Sequence, residues 1–213
     1  MSDVKKAVDF LSKQSELISK MKGVKIINLL DKSLDPIRTL LMAIDAKSPY
    51  TIDHTMKVVE YTVMIANMLN LSPTEKHNLQ LSALLHDIGR IEIPDEIICK
   101  PDKLTPEELE KIQQHPAVGA RIIAPLRELE CVIGGILHHH ERFDGTGYPD
   151  RLKGEEIPLS ARIIGLADAY SAMTSARPYR KELTKEDALS EIKRNEGKQF
   201  DPHIAEVFLQ GMR

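Results

Sequence analysis

The chain contains little of several residue types, and each shortage limits what the protein can be. It has no tryptophan, only 4% aromatic residues and two cysteines, Cys99 and Cys131, which form no Cys-x-x-Cys pair. The cysteines therefore indicate neither a structural zinc site nor a disulfide framework, and we expect a reducing, cytoplasmic location. The N-terminus lacks the apolar core of a signal peptide. No stretch approaches the roughly 20 apolar residues that span a bilayer, so we expect no membrane segment.

The chain also lacks a strong charge of either sign. Its formal net charge is -3 over 213 residues, with a pI near 6.3. A broad cationic surface is therefore absent, which argues against long nucleic acid as a ligand. An anionic ligand must be held by a few local groups, and a small phosphate ester fits this condition.

Helix-start signals recur along the sequence, and each combines a capping side chain with a proline that suits the first helical turn. The four clear cases are Asp35-Pro36, Ser72-Pro73, Thr105-Pro106 and Asp201-Pro202. A Glu three residues after Ser72 and after Thr105 completes a capping box. Apolar residues between the caps follow helical spacing, and the alternation typical of strands is nowhere sustained. We predict an all-α fold of seven to nine helices, interrupted by an irregular stretch rich in Gly and Pro at residues 144–158.

The first 35 residues are predicted to form a separate N-terminal helical element, and residues 36–213 to form the main domain. Apolar residues lie three, four or seven apart along this Lys-rich segment, at Val4, Ala7, Leu11, Ile18 and Met21. Such a stripe either packs against its own domain or pairs with a second copy as the seam of a homodimer.

Seven side chains along the chain are candidate metal ligands. They are His54, His86, Asp87, His115, His139, His140 and Asp168. Neutral imidazoles bridged by carboxylates can hold two divalent cations side by side. Most of these residues mean little alone, since a single His is more often a core residue. The His86-Asp87 pair is predicted to end a helix before Gly89, where we expect a left-handed turn, and His115 is predicted to lie at a helix junction because Pro116 follows.

The most informative segment is HHHERFDGTGYP, residues 138–149. Three consecutive histidines have no simple structural explanation, because buried imidazoles need partners. Gly145 and Gly147 are expected to permit positive φ and a close approach of the backbone to a ligand, and Tyr148 offers a ring face and a hydroxyl. Asp168 lies in an apolar helix, where a metal or a basic partner must satisfy its carboxylate.

The segments LLHDIGR, KPDKLT, QQHPAVGA, HHERFDGTGYP, IPLSARIIGLADAY and RPYRK, in this order, resemble the HD-GYP family of metal-dependent phosphodiesterases. The resemblance runs from about Tyr50 to Phe200. It implies a compact HD-type helical bundle with a dinuclear site that holds iron or manganese, although nickel and zinc suit the same ligands. One metal would be bound by His54, His86, Asp87 and Asp168, and the other by His115, His139 and His140, with Asp87 as the bridge.

The resemblance also assigns roles to residues outside this ligand set. Arg177 and Arg180 match positions that contact the substrate phosphates, and Tyr148 matches the tyrosine of the GYP motif. Arg90 is expected to contact substrate and to stabilise charge in the transition state. Glu141 is expected to orient a ligand imidazole, and His138 to serve in packing or behind the ligands.

The implied activity is hydrolysis of cyclic di-GMP to pGpG through a hydroxide that bridges the two metals. Whether a second cleavage then yields GMP depends on how pGpG rebinds. A cyclase of the GGDEF type is an expected partner. Two alternatives stay open: a non-catalytic module that senses a cyclic dinucleotide or docks onto a cyclase, and a hydrolase of another cyclic dinucleotide.

Three positions depart from the family's pattern. Arg90 replaces the usual Lys of His-Asp-x-Gly-Lys and keeps its positive charge in a larger group. Tyr50 stands where some members have a Glu that binds a third metal, so the sequence favours two metals. Ser171 stands where many members have a second Asp, and the sequence alone gives it no role.

Overall fold

The computed structural model describes residues 51–98, 100, 102–175 and 182–213. The predicted N-terminal element, the cap at Asp35-Pro36, Tyr50, Cys99 and the pair Arg177 and Arg180 lie outside the described residues. The division of the chain at residue 35 therefore stays a prediction.

The described part of the chain is helical, which confirms the predicted all-α class. Its nine α-helices are α1 (Thr51–Met68), α2 (Pro73–Leu85), α3 (Asp95–Ile98), α4 (Pro106–Gln113), α5 (His115–Ile123), α6 (Ile133–His138), α7 (Leu159–Met173), α8 (Lys185–Arg194) and α9 (Pro202–Gly211). These residues contain no β-strand, only an isolated bridge between Glu196 and Phe200. Between α6 and α7 the one regular element is a 3-10 turn at Gly154–Glu156, which agrees with the predicted irregular stretch.

The predicted caps within the described residues are present. Ser72 and Thr105 each accept a hydrogen bond from the backbone N–H three residues later, and the Glu at that position accepts from the cap's own N–H. Asp201 accepts from the N–H groups of His203 and Ile204 at the start of α9. Each such cap contributes about 1 kcal/mol of helix stability. Local sequence therefore determines where α2, α4 and α9 begin.

Two apolar clusters form the core. The larger joins α1, α2, α7, α8 and α9, and its largest fully buried side chains include Ile65, Leu166 and Phe208. The smaller lies where α2, α5 and α6 meet, and includes Leu85 and Ile136. Because α2 contributes to both clusters, the end of α2 lies between them. None of the described helices is long and apolar enough to cross a membrane.

A glycine contact joins the end of α2 to α5. The predicted left-handed turn at Gly89 is wrong, since the described glycines with positive φ are Gly145, Gly154 and Gly197. A Cβ at Gly89 would lie 1.9 Å from the carbonyl oxygen of His115. Gly89 is needed because the two backbones nearly touch, and this contact brings the His86-Asp87 pair close to His115.

Candidate metal centre

Helix ends and the inner faces of α1 and α7 bring the seven candidate ligands together. The ligand atoms of His54, His86 and Asp87 lie within 4.8 Å of one another, and those of His115, His139 and His140 form a second group within the same limit. Asp168 joins the first group, because its Oδ1 lies 2.9 Å from Nε2 of His54. The sequence named these seven residues, and folding makes them neighbours.

Asp87 connects the two groups. Its Oδ2 lies 3.3 Å from Nε2 of His86, and its Oδ1 lies 3.2 Å from Nε2 of His115. The side chain is only 4% exposed. Its carboxylate therefore has one oxygen directed to each histidine group, which is the arrangement that a bridging ligand requires.

Three of the imidazoles are oriented by backbone carbonyl groups. In His86, Nδ1 lies 2.7 Å from the carbonyl oxygen of Ala83. In His115, Nδ1 lies 2.6 Å from the carbonyl oxygen of Ile112. In His139, Nδ1 lies 2.7 Å from the carbonyl oxygen of Ile136. A carbonyl oxygen can only accept a hydrogen bond, so in the neutral ring Nδ1 carries the proton and Nε2 keeps its lone pair. All three carbonyl groups belong to the last turn of a helix, where intrahelical donors run out. Helix ends thus supply both the ligand and its orientation.

The lone pairs that result face one another without donors. Nε2 of His115 lies 3.2 Å from Nε2 of His139, although neither atom carries a proton in the tautomers that the carbonyls fix. Nε2 of His86 and both oxygens of Asp87 are buried without a well-directed hydrogen bond, despite neighbours at 2.7 to 3.3 Å. Buried acceptors without donors are costly. Cations bound between them would remove that cost, so the residues present fit a dinuclear metal group.

The charges inside this group also suit metal binding. Burial alone would raise the pKa of Asp87, but Arg90, His86 and His115 outweigh it and hold that pKa well below its usual range. The pKa of Asp168 is likewise lowered against the effect of burial, mainly by His54. Burial lowers the pKa of His139 well below its usual value and that of His140 to about 4. Ionised carboxylates and neutral imidazoles are the forms that bind divalent cations.

The pKa of His86 is shifted in the opposite direction from those of His139 and His140. Burial would lower the pKa of its imidazole, but the charges of Asp87 and Asp168 raise it above the usual value. The two carboxylates therefore attract positive charge to this position. A divalent cation satisfies that demand better than a proton, because it can contact several ligands at once.

Arg90 lies at the edge of the group. Its Nε is 2.7 Å from Oδ1 of Asp87, and the side chain is 28% exposed. Burial would lower the pKa of the guanidinium, but the neighbouring Asp87 and Asp168 raise it. A permanent positive charge therefore stands where solvent reaches the centre. The other two predicted phosphate contacts, Arg177 and Arg180, lie outside the described residues.

Tyr148 packs against one of the candidate ligands. Its ring stacks on that of His140, with centroids 5.0 Å apart and planes 26° from parallel. His140 differs from its three neighbours, since within the described residues no carbonyl group contacts its ring nitrogens. The substrate contact of Tyr148 stays a prediction, and the structure shows its ring packed against a candidate ligand.

The loop before Tyr148 folds back on itself. Gly145 has a φ of +83°, as predicted. Gly147 has no positive φ, and a Cβ there would lie 2.4 Å from the backbone nitrogen of Arg142. The predicted positive φ at Gly147 is therefore wrong, and the close approach at this glycine is to the protein's own backbone. The reason is the hydrogen bond of 3.3 Å from the Tyr148 N–H to the His140 carbonyl oxygen, which closes the loop.

Glu141 stabilises the same loop. Its Oε1 accepts a hydrogen bond of 2.7 Å from the backbone N–H of Asp150. The imidazole that lies closest to its carboxylate is that of His138, with Nδ1 3.9 Å away, and His138 belongs to neither ligand group. The expectation that Glu141 orients a ligand imidazole is therefore wrong. Its carboxylate instead ties residue 150 to the end of α6.

Ser171, to which the sequence alone gave no role, contacts one of the candidate ligands. Its Oγ lies 2.8 Å from Nδ1 of His54, and both side chains are buried. The available signal was its spacing, since a residue three positions after Asp168 lies on the same face of α7.

An all-α bundle with adjacent His and Asp residues at a helix end, which join two histidine groups, defines the class of HD-type helical proteins. A sequence model described as the HD domain matches residues 38–204. The chain therefore belongs to the HD domain family, and its GYP segment identifies the HD-GYP group that the sequence resembles.

Known proteins agree with this assignment. A cyclic di-GMP phosphodiesterase of Thermotoga maritima is 40% identical over 184 residues, which are 84% of this chain and 50% of that protein. A cyclic di-GMP phosphodiesterase response regulator of Xanthomonas campestris is 34% identical over 94% of this chain and 52% of its own length. The crystal structure of a cyclic GMP-AMP-specific phosphodiesterase of Vibrio cholerae is 26% identical, with a TM-score of 0.63 over 80% of this chain and 46% of that one. The chain thus spans about half the length of the curated relatives it matches.

Proposed function

We propose that this chain is a metal-dependent phosphodiesterase that hydrolyses cyclic di-GMP to pGpG, and that the rebinding of pGpG decides whether a second cleavage yields GMP. The observation that carries the proposal is the position of Asp87, which directs one carboxylate oxygen to each of two histidine groups. The names of the relatives from Thermotoga and Xanthomonas support cyclic di-GMP as the substrate.

The metal ligands follow from the two groups. His54, His86, Asp87 and Asp168 would hold one ion, and His115, His139 and His140 would hold the other together with Asp87. When bound, two divalent cations lower the pKa of water and neutralise charge on a phosphoryl group. Iron or manganese are the ions we expect, and nickel and zinc suit the same nitrogen and oxygen donors.

The protein's own residues would prepare this chemistry. The buried surroundings keep His139 and His140 neutral, so that their lone pairs stay available. Asp87 and Asp168 are ionised and compensate for part of the positive charge. Arg90 would contact a phosphate oxygen where negative charge develops, since a guanidinium can donate two parallel hydrogen bonds. Arg177 and Arg180 would contact the substrate phosphates, as the resemblance implies.

Replacement of the bridging carboxylate tests the proposal directly. The Asp87→Asn variant keeps the shape of the side chain but removes its charge, and we expect it to hold fewer than two ions and to lose on the order of 100-fold or more in activity. The matched control is Asp150→Asn, since the Asp150 side chain is 57% exposed and lies outside both ligand groups. Metal content by elemental analysis and nucleotide products by chromatography give the two readouts. A D87N protein with two ions and full activity would contradict the assignment.

A second candidate substrate is cyclic GMP-AMP, and the name of the Vibrio structure favours it. Both dinucleotides carry two bridging phosphates, so the metal ligands alone do not distinguish them. Comparison of kcat/KM for the two, on the same manganese-loaded protein, decides between them. Preference for cyclic GMP-AMP would leave the metal centre correct and the substrate wrong.

The non-catalytic alternative has its own signature. A sensor or docking module would bind the dinucleotide without consuming it, so the same incubation would return the substrate intact while calorimetry detects binding. The full set of candidate ligands favours the enzyme. Docking onto a GGDEF-type cyclase, pairing of two copies through residues 1–35 and a cytoplasmic location stay predictions. Co-purification with the cyclase tests the first, and the mass of the full chain in solution tests the second.

A further inference from the structure

We propose that Ser171 is a positioning residue for His54, whose hydroxyl orients the ring but fixes its tautomer less firmly than a carbonyl group would. The half of the centre that contains His54 therefore depends on Ser171 for its affinity and still binds its metal ion more weakly than the other half. This inference rests on the proposed metal centre. It concerns the order in which ions are bound, which the proposed activity does not specify.

The contact joins two helices that are distant in sequence. The Ser171 Oγ on α7 lies 2.8 Å from Nδ1 of His54 on α1, across 117 residues of chain. The serine side chain is completely buried, so water does not compete for the hydrogen bond. On the other side of the same ring, Nε2 lies 2.9 Å from Oδ1 of Asp168. The imidazole of His54 is therefore held between two residues of α7 that are one turn apart.

The partner of His54 differs in kind from the partners of three other candidate ligands. His86, His115 and His139 each direct Nδ1 to a carbonyl oxygen in the last turn of a helix. His54 lies near the beginning of α1 as described, where carbonyl groups accept intrahelical hydrogen bonds from the following turn. A side chain from α7 takes the place of the carbonyl.

A hydroxyl group does not fix the tautomer of an imidazole as a carbonyl does. A carbonyl only accepts, so the ring proton must stay on Nδ1, whereas a serine can accept from Nδ1–H or donate to a bare Nδ1. When it accepts, its own proton has a poor alternative, since the carbonyl oxygen of His54 lies 3.5 Å from Oγ. When it donates, the ring proton moves to Nε2 and can be donated to Asp168.

This second arrangement opposes metal binding. It places a proton on the nitrogen that must coordinate the ion and engages a carboxylate oxygen that must do the same. An ion that binds here must first select the tautomer with Nδ1–H, whereas His115 and His139 already have it. The ion held by His115, His139 and His140 therefore binds first, and the ion held by His54 binds second and more weakly.

Calorimetric titration of the metal-free protein with manganese tests the proposal. We expect two classes of site in the unmodified protein. Ser171→Ala should weaken the weaker site by about 10- to 100-fold and leave the tighter one unchanged. Ser171→Thr restores the hydroxyl group and should recover most of the affinity. Ser171→Asp supplies an acceptor that holds the proton on Nδ1, and should bind the second ion more tightly than the unmodified protein.

The matched control is Ser82→Ala. Ser82 is equally buried, but its hydroxyl donates to the carbonyl oxygen of Val132, away from the ligand atoms. The same loss of an oxygen at this position should leave both affinities unchanged. If S82A weakened the second site as much as S171A does, the effect would reflect general loosening of the bundle, and the assigned role of Ser171 would be wrong.

Nitrogen-15 spectra of the His54 ring provide a readout that does not depend on affinity. In the metal-free protein we expect a mixture in which Nε2 is partly protonated, and in the zinc-loaded protein a proton on Nδ1 alone. A metal-free ring with its proton only on Nδ1 would overturn the proposal. So would an S171A protein that binds two ions with unchanged affinities. If the unmodified protein bound no ions at all, the proposed function itself would fail, and calorimetry distinguishes that result from the other two.

Discussion

At the scale of single residues, Tyr148 has two candidate roles that can be separated. Its ring stacks on His140, and its hydroxyl could contact substrate. Tyr148→Phe keeps the ring, so we expect it to retain both ions and to change KM alone if the hydroxyl binds substrate. Tyr148→Ala removes the ring, and we expect the ion held by His140 to bind about tenfold more weakly or worse. Metal content and steady-state kinetics give the two readouts. Loss of metal from the Phe variant would contradict this division of roles.

Arg90 permits a comparison with the family's usual residue. Arg90→Lys should keep both ions, because the lysine retains a positive charge near Asp87. We expect KM to rise more than kcat falls, since a lysine is a point charge and lacks the planar fork that holds a phosphate. Arg90→Met, which removes the charge, should lower kcat/KM by at least another factor of about ten. A lysine variant with unchanged kinetics would show that Arg90 acts through charge alone.

At the scale of elements, the loop that carries Tyr148 depends on one glycine. A Cβ at Gly147 would meet backbone atoms at 2.4 to 2.6 Å, and backbone cannot rotate out of the way as a side chain can. We expect Gly147→Ala to cost about 1 to 3 kcal/mol in the free energy of unfolding, and to displace Tyr148 from His140. Urea denaturation measures the first effect and metal content the second.

The control for this loop is Gly134→Ala in α6. A Cβ at Gly134 would meet only Pro158 side-chain atoms, at ordinary contact distances of 3.4 Å and more. Alanine in a helix is more stable than glycine by about 0.5 to 1 kcal/mol, so this variant should be as stable as the unmodified protein or more so. Equal destabilisation by both substitutions would show that the contacts of Gly147 do not matter.

The elements show what a sequence can and cannot predict. The starts of α2 and α4 were predictable because Ser72, Thr105 and their glutamates act within one helical turn. The roles of Gly89 and Gly147 were not, because each depends on a backbone segment that only folding brings near. The same distinction separates the list of seven ligands, which chemistry and resemblance supplied, from the contact of Ser171 with His54, which requires the packing of α1 against α7.

At the scale of the whole molecule, the buried histidines predict how the stability of the metal-free protein depends on pH. Burial lowers the pKa of His140 from 6.5 to about 4, and lowers that of His139 as well. The unfolded chain therefore binds more protons than the folded one between about pH 6.5 and 4, and stability falls as the pH falls through that window. His140 alone contributes a change of roughly 3 kcal/mol.

The shifted pKa of His86 does not alter the loss of stability between about pH 6.5 and 4. The pKa of His86 in the folded protein is raised, because Asp87 and Asp168 outweigh burial. Protonated His86 therefore adds its full stabilisation below about pH 6.5, and this stabilisation is lost only as the pH rises through the raised pKa. Urea midpoints measured across the acid range with a chelator present check the prediction. His140→Asn, which removes a titrating group, should make the dependence shallower. A midpoint that rises on acidification would show that the buried imidazoles are already charged.

The contact between His54 and α7 has a consequence for the resistance of the protein to proteolysis in the cell. Because the candidate ligands His54 and Asp168 lie more than a hundred residues apart in the chain, ions bound among the ligands would connect the first and later parts of the described bundle. Ions that bind the folded chain and not the unfolded one stabilise the folded state by mass action, so the protein is less stable where the ions are scarce. A cell short of these ions would then hold a looser protein that proteases reach more readily, so its abundance, as well as its activity, would report the metal supply.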